Sequence, residues 1–170
     1  MNVVADELPL FQVEVTRSRR RKRTVGSELR GDVLRITVPW WMTDTEIAHW
    51  VDKTRASWTR KRSAERFDLP RRAASLARTH GLPQPQSIRW SDNMNRRWGS
   101  CTPATGTIRL SSALAGFPDW VVDYVIVHEL AHLEVPAHNA AFWSLVRRYP
   151  RTERAIGYLI ARGGEVDDPG

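Results

Sequence analysis

The most constraining stretch of this chain is Asp119 to Tyr149, and within it the run His128-Glu129-Leu130-Ala131-His132-Leu133-Glu134-Val135-Pro136-Ala137-His138. A helix over Asp119–Leu133 sets His128 and His132 one turn apart, about 6 Å along the axis and some 40° around it, so both imidazoles can meet one metal ion. Glu129 then lies about 100° further round from His128, outside the ligand pair but able to lean over a water on the ion. This is the HExxH pattern of zinc-hydrolase helices, with Glu129 placed as general base. Trp120, Val121, Tyr124, Val125 and Val127, with Leu130 and Ala131, spread apolar surface broadly round the same helix, which predicts burial. Two histidines and a glutamate on a buried helix need partners, because unpaired buried polar groups are costly, and a shared ion is the simplest one.

A catalytic zinc ion usually takes three protein ligands and keeps one position open. His138 is the first candidate for the third, six residues after His132 and past Pro136, which stops the helix and lets the chain turn back. The spacing alone leaves a carboxylate ligand, Glu134 or Glu153, open as well. A metzincin is disfavoured: Val135 stands where that pattern has Gly, and Met1, Met42 and Met94 all precede the motif.

Beyond the motif, Arg97-Trp98-Gly99-Ser100-Cys101, Tyr124 to Leu133 and His138-Asn139-Ala140-Ala141-Phe142-Trp143 together resemble the YgjP-like metallopeptidase family, relatives of the SprT-like and Wss1-like proteases. The resemblance runs over roughly Arg17–Tyr149. It implies a zincin-like metallohydrolase with His128, His132 and His138 as ligands and Glu129 as catalytic base; one zinc ion per chain is expected, and a peptide or protein is the first reading of the substrate. Arg97 and Cys101 sit in the shared run. Arg97 is a candidate contact for an anionic substrate or transition state, and Cys101 a residue that could approach the metal, although a structural role is the simpler reading of each.

A length of 170 residues with 41% hydrophobic content suits one compact domain, and the organisation expected is an amino-terminal extension and first strand over 1–16, a domain over 17–162 and a disordered tail over 163–170. No apolar run approaches the roughly 20 residues of a membrane span, and no secretory signal is visible. One cysteine excludes an internal disulfide, so the expected compartment is the cytoplasm. Charge is uneven: residues 1–100 hold 20 Lys+Arg against 11 Asp+Glu, residues 101–170 hold 6 against 8. A basic front half favours anionic partners, nucleic acid or nucleotide among them.

Along the chain, Phe11–Val15 and Val33–Val38 alternate as strands about the turn signal Arg30-Gly31-Asp32, and the segment Arg19–Leu29 is expected to pair with them. The run Arg17–Arg23 carries six basic side chains in seven residues. Arg19, Arg20, Arg21 and Lys22 form a candidate phosphate-binding strip, with a solvated loop as the plain alternative and no interleaved aromatic to stack on bases. A capping box, Thr43 to Glu46, opens a long helix with Ile47, Trp50, Val51, Thr54 and Trp58 on one stripe, the two tryptophans expected in the core. A second helix runs from Pro70 to His80 and stops at Gly81. Strands at Ser87–Trp90, Arg97–Thr102 and Thr107–Leu110 follow, with Pro103–Gly106 as a hairpin turn, and after His138 come two further amphipathic helices.

The fold class is thus α+β: a basic amino-terminal β-sheet, a β-hairpin ahead of the HExxH helix, and flanking helices. A metal-dependent nucleoside triphosphate pyrophosphohydrolase is the second enzymatic reading, since the same activated water could attack phosphorus. A nucleic-acid-binding module with structural zinc is the third. An intact Glu129 and the lack of an obvious fourth Cys or His ligand weigh against it.

Overall fold

The computed structural model describes residues 12–94 and 96–163. The expected amino-terminal extension through Phe11 and the tail from Gly164 onward fall outside them. The chain divides into two compact units, with the division between Ser63 and Ala64.

In the first unit, β1 (Gln12–Ser18), β2 (Gly26–Arg30) and β3 (Val33–Pro39) form a sheet of order β1-β3-β2, with β1 parallel and β2 antiparallel to β3. The turn from β2 to β3 passes through Gly31 at φ 61°, a left-handed conformation that glycine enters without steric cost. Of the expected pairing over Arg19–Leu29, only the stretch from Gly26 joins the sheet. The basic run occupies the connection instead, because clustered like charges without apolar alternation have no face to bury. Two cations on the strands are paired: Arg35 with Glu14 at 2.9 Å and Arg30 with Glu28 at 3.2 Å.

Helix α1 (Asp44–Glu65) opens on the capping box, with the Thr43 amide donating to Glu46 Oε2 at 2.8 Å and the Glu46 amide donating to Thr43 Oγ1 at 3.3 Å. Its stripe of Ile47, Trp50, Val51 and Trp58 packs on a core of Leu34, Ile36, Val38 and Met42. Trp50 and Trp58 are half-buried rather than core residues, since one helix over a three-stranded sheet covers only their inner faces. Trp58 Nε1 donates to Ser27 Oγ at 3.1 Å.

The second unit holds α2 (Leu69–His80), β4 (Ser87–Ser91), β5 (Gly99–Thr102), β6 (Thr107–Ser111), α3 (Asp119–Ala131), α4 (Ala140–Val146) and α5 (Thr152–Ala161). Asp68 caps α2 by accepting from the Arg71 amide, and Gly81 ends it in the left-handed region. The sheet repeats the first unit's topology, with order β4-β6-β5, β4 parallel and β5 antiparallel to β6. A 3₁₀ turn at Pro103–Thr105 and Gly106 close the β5–β6 hairpin, and a second such turn, Ser112–Gly116, leads into α3.

Helix α3 is apolar almost all round, and Val121, Val122, Tyr124 to Val127, Leu130 and Ala131 are buried. A helix with no polar face belongs at the centre. It packs against α2, α4, α5, β5 and β6. Asp123 faces the edge of this core, where Arg72 Nε and Nη2 donate to its two carboxylate oxygens. Tyr149 donates its hydroxyl to Trp120 O at 2.9 Å; burial, then the nearby Asp123 charge, pushes its phenol up to about 12. No helix among the described residues is long and apolar enough to cross a membrane.

Candidate metal centre

Helix α3 ends at Ala131, two residues before the expected Leu133. His132 nevertheless keeps helical dihedrals (φ −66°, ψ −20°), and its amide still donates to His128 O at 3.3 Å, so the one-turn relation between the two rings is preserved. After three turn bonds the chain passes Pro136 and comes back: His138 Nε2 lies 3.2 Å from His128 Nε2. One ring nitrogen from each of His128, His132 and His138 falls within 4.8 Å of the others. His128 is the most deeply buried of the three and His138 is exposed.

The rings are held by their surroundings. His132 Nδ1 is 3.2 Å from Val135 O; a carbonyl only accepts, so Nδ1 carries the proton and Nε2 keeps its lone pair. Phe142, fully buried on α4, is a common wall for all three rings. It stacks on His132 (centroids 4.4 Å apart, planes at 28°) and meets His128 and His138 edge-on at 4.9 and 4.7 Å. Helix α4 is in turn set by Asn139, whose Oδ1 accepts from the Phe142 amide at 3.1 Å. Burial, followed by the neighbouring His132 and His138, lowers the His128 imidazole to about 3, so it is neutral at physiological pH.

Three neutral-capable imidazoles converging at this separation are a donor set suited to a borderline divalent metal ion. Neither carboxylate weighed as a third ligand belongs to this group: Glu134 is exposed, and Glu153 lies 3.7 Å from Arg147.

Glu129 is buried beside the rings, at 5% exposure. Strand β5 lies directly over it. A Cβ added at Gly99 would come within 2.3 Å of Glu129 Oε1 and 2.7 Å of its Cδ, so glycine lets the β5 backbone approach this carboxylate without displacing it. Sequence reasoning missed this role of Gly99, and the available signal was an isolated glycine inside a strand pattern. It also missed Phe142 as the wall shared by the three rings.

The histidines and Glu129 line one side of an open cleft of about 490 Å³, with Arg97 and the β5 residues Gly99 to Thr102 on the other. Cys101 is in this lining but outside the nitrogen cluster. Burial, then the Glu129 charge, pushes its thiol up to about 11. Arg97 is exposed at the cleft mouth. The strip residues Arg19, Arg20, Arg21 and Lys22 belong to the first unit, and His49 and His80 are likewise not in the cluster.

A model of the YgjP-like metallopeptidase domain matches residues 53–156, so the amino-terminal sheet lies outside the match. Two solved structures are similar to the chain. The metallopeptidase zymogen of Pyrococcus abyssi abylysin is 21% identical, with 54% of this chain and 91% of that one covered and a TM-score of 0.49. The metallopeptidase zymogen of Methanocaldococcus jannaschii jannalysin is 19% identical, with 57% and 98% covered and the same TM-score. No curated protein matches the chain.

The depressed His128 value has a sign that can be tested on metal-free protein. Below pH 6.5 the unfolded chain takes up a proton that the folded chain refuses, so this contribution to stability is complete above about pH 6.5 and is lost as pH falls toward about 3. The melting temperature of chelator-treated protein should therefore drop more steeply between pH 6.5 and 4.5 in the wild type than in His128→Gln. Parallel curves would contradict the assignment.

Proposed function

The chain belongs to the YgjP-like metallopeptidase family, and on that basis we propose that it is a zinc peptidase in which His128, His132 and His138 hold one ion and Glu129 is the general base. The observation that carries this reading is the meeting of three imidazole nitrogens within 4.8 Å beside a buried carboxylate on an open cleft. Zinc, when bound, supplies Lewis acidity, which acidifies water and polarises a carbonyl. The remaining work falls to the chain's own groups. Glu129, pinned beneath β5 at Gly99, takes the proton from the attacking water and hands it to the departing amine. Val135 O favours the His132 tautomer with its lone pair on Nε2, the form that ligates a metal through that nitrogen. Because β5 is an edge strand bordering the cleft, its unpaired side can hydrogen-bond an extended peptide and align it with the site.

Zinc-loaded Glu129→Gln should retain one ion per chain while turnover of a mixed fluorogenic peptide pool falls at least about 100-fold. Gly99→Ala should likewise keep its zinc and lose turnover, by displacing the carboxylate. Full activity in metal-loaded Glu129→Gln would remove Glu129 as the base.

A second activity is favoured in the first unit. Arg17 is committed to structure, donating to Trp40 O at 3.0 Å and to Asp44 Oδ1 at 2.6 Å. The next five cations, Arg19 to Arg23, are exposed, and none forms an ion pair among the described residues. Against the expectation of a strip without aromatics, Trp41 lies beside it: Trp41 Nε1 donates to Lys22 O at 3.2 Å while the residue stays 50% exposed, and the adjacent Trp40 is 58% exposed. Cations that track phosphates next to a solvent-facing indole suit single-stranded nucleic acid. Replacing Arg19, Arg20, Arg21 and Lys22 with Gln should flatten the dependence of log affinity on log salt by about 0.7 per lost contact. Trp41→Ala should weaken binding at every salt concentration by roughly 1 kcal/mol or more. Oligonucleotide binding unchanged in both variants would leave the run a solvated loop.

A further inference from the structure

Beside the metal cleft lies a second hollow of about 540 Å³, lined by Asn93, Met94, Arg96, Arg97, Ser100 and Arg109. Arg97 and Ser100 line both, so the two share a wall. The hollow owes its charge to strand register. On β6, Ile108 and Leu110 are buried, so Arg109 between them turns to the exposed face of the sheet. There it stands opposite Ser100 on β5 and opposite Arg89 on β4. Arg96 and Arg97, just ahead of β5, are exposed as well. Among the described residues no carboxylate pairs with Arg89, Arg96, Arg97 or Arg109, whereas the arginines on the strands of the first sheet, Arg17, Arg30 and Arg35, each have an acidic partner. Like charges on directly opposed strand positions repel one another. The fold thus maintains an uncompensated positive hollow next to its reactive cleft, an arrangement that attracts and orients an anionic group.

The strand alternation says where that group comes from. Gly99 faces Glu129, so Ser100, its neighbour on β5, faces the arginines. A peptide laid along the free edge of β5 alternates in the same way, its side chains pointing in turn toward the metal cleft and toward the hollow. Resting on the peptidase reading above, we propose that this hollow is a specificity subsite for an acidic residue of the substrate, whose carboxylate is bound by the guanidinium groups of Arg96, Arg97 and Arg109. Planar guanidinium groups suit this task because they can meet a carboxylate with two parallel hydrogen bonds.

The test uses zinc-loaded Glu129→Gln, which should bind without cutting, and labelled eight-residue peptides in which one Glu is moved along an otherwise neutral sequence. At one position, exchanging Glu for Gln should weaken binding roughly tenfold, the scale of hydrogen bonds to a charged group. Adding Arg96→Gln and Arg109→Gln should equalise the two peptides, with zinc content and melting temperature showing that the fold is kept. Wild-type cleavage of a peptide pool should show the same acidic preference. Equal binding of Glu and Gln peptides at every position would overturn the subsite, as would a preference that survives the arginine substitutions. So would a nucleoside triphosphate that outcompetes every acidic peptide and loses affinity in the same variant, since the arginines would then serve a phosphate chain. Wild-type protein that cuts peptides without regard to acidity would remove the subsite alone. Wild-type protein that cuts no peptide at all would remove the peptidase reading and the subsite with it.

Discussion

Everything in the second unit depends on α3 being buried while carrying His128 and Glu129, with His132 at its C-terminal cap. A helix apolar almost all round is driven to the centre, and its buried polar groups need partners there. Strand β5 and the returning segment after Pro136 border these groups. Gly99 lets β5 close over Glu129, and His138 completes the imidazole cluster. Phe142 then packs against all three rings, so burial, aromatic contact and the convergence of the imidazole nitrogens coincide at a single place.

The two units use one sheet topology for different ends. In the first, Arg17, Arg30 and Arg35 are paired on the strands, while the β1–β2 connection beside Trp41 holds the exposed run Arg19 to Arg23. In the second, β6 is apolar toward α3 and cationic on its outer face, so the same strand supplies core and field. Within a net charge of +7 the chain thus has two local concentrations of arginine with different neighbours.

What the amino-acid sequence made legible was whatever depends on neighbours along the chain. The HExxH spacing, the Thr43/Glu46 box, the Gly81 stop and the Pro103–Gly106 turn are local rules, and each element stands where those rules put it. The stop after His132 was less sharp, because turn bonds end α3 at Ala131 before Pro136 is reached. Features that need two distant segments were not legible. Gly99 is informative only once β5 is known to cover Glu129, 30 positions later. Trp41 reaches Lys22 across 19 residues, and the Arg89–Arg109 juxtaposition follows from a parallel register that no composition reveals. The half-buried Trp50 and Trp58 show the same limit: helical periodicity identified their face but not how little sheet there was to cover it.

The central claim is that three imidazoles, with neither Cys101 nor a glutamate, form the metal's protein ligand set. Zinc K-edge X-ray absorption on the zinc-loaded protein addresses it most directly, because imidazole rings leave a multiple-scattering signature and sulfur a longer shell. Three imidazole nitrogens at about 2.0–2.1 Å and no sulfur are expected. A sulfur shell at about 2.3 Å, or only two imidazoles, would contradict it.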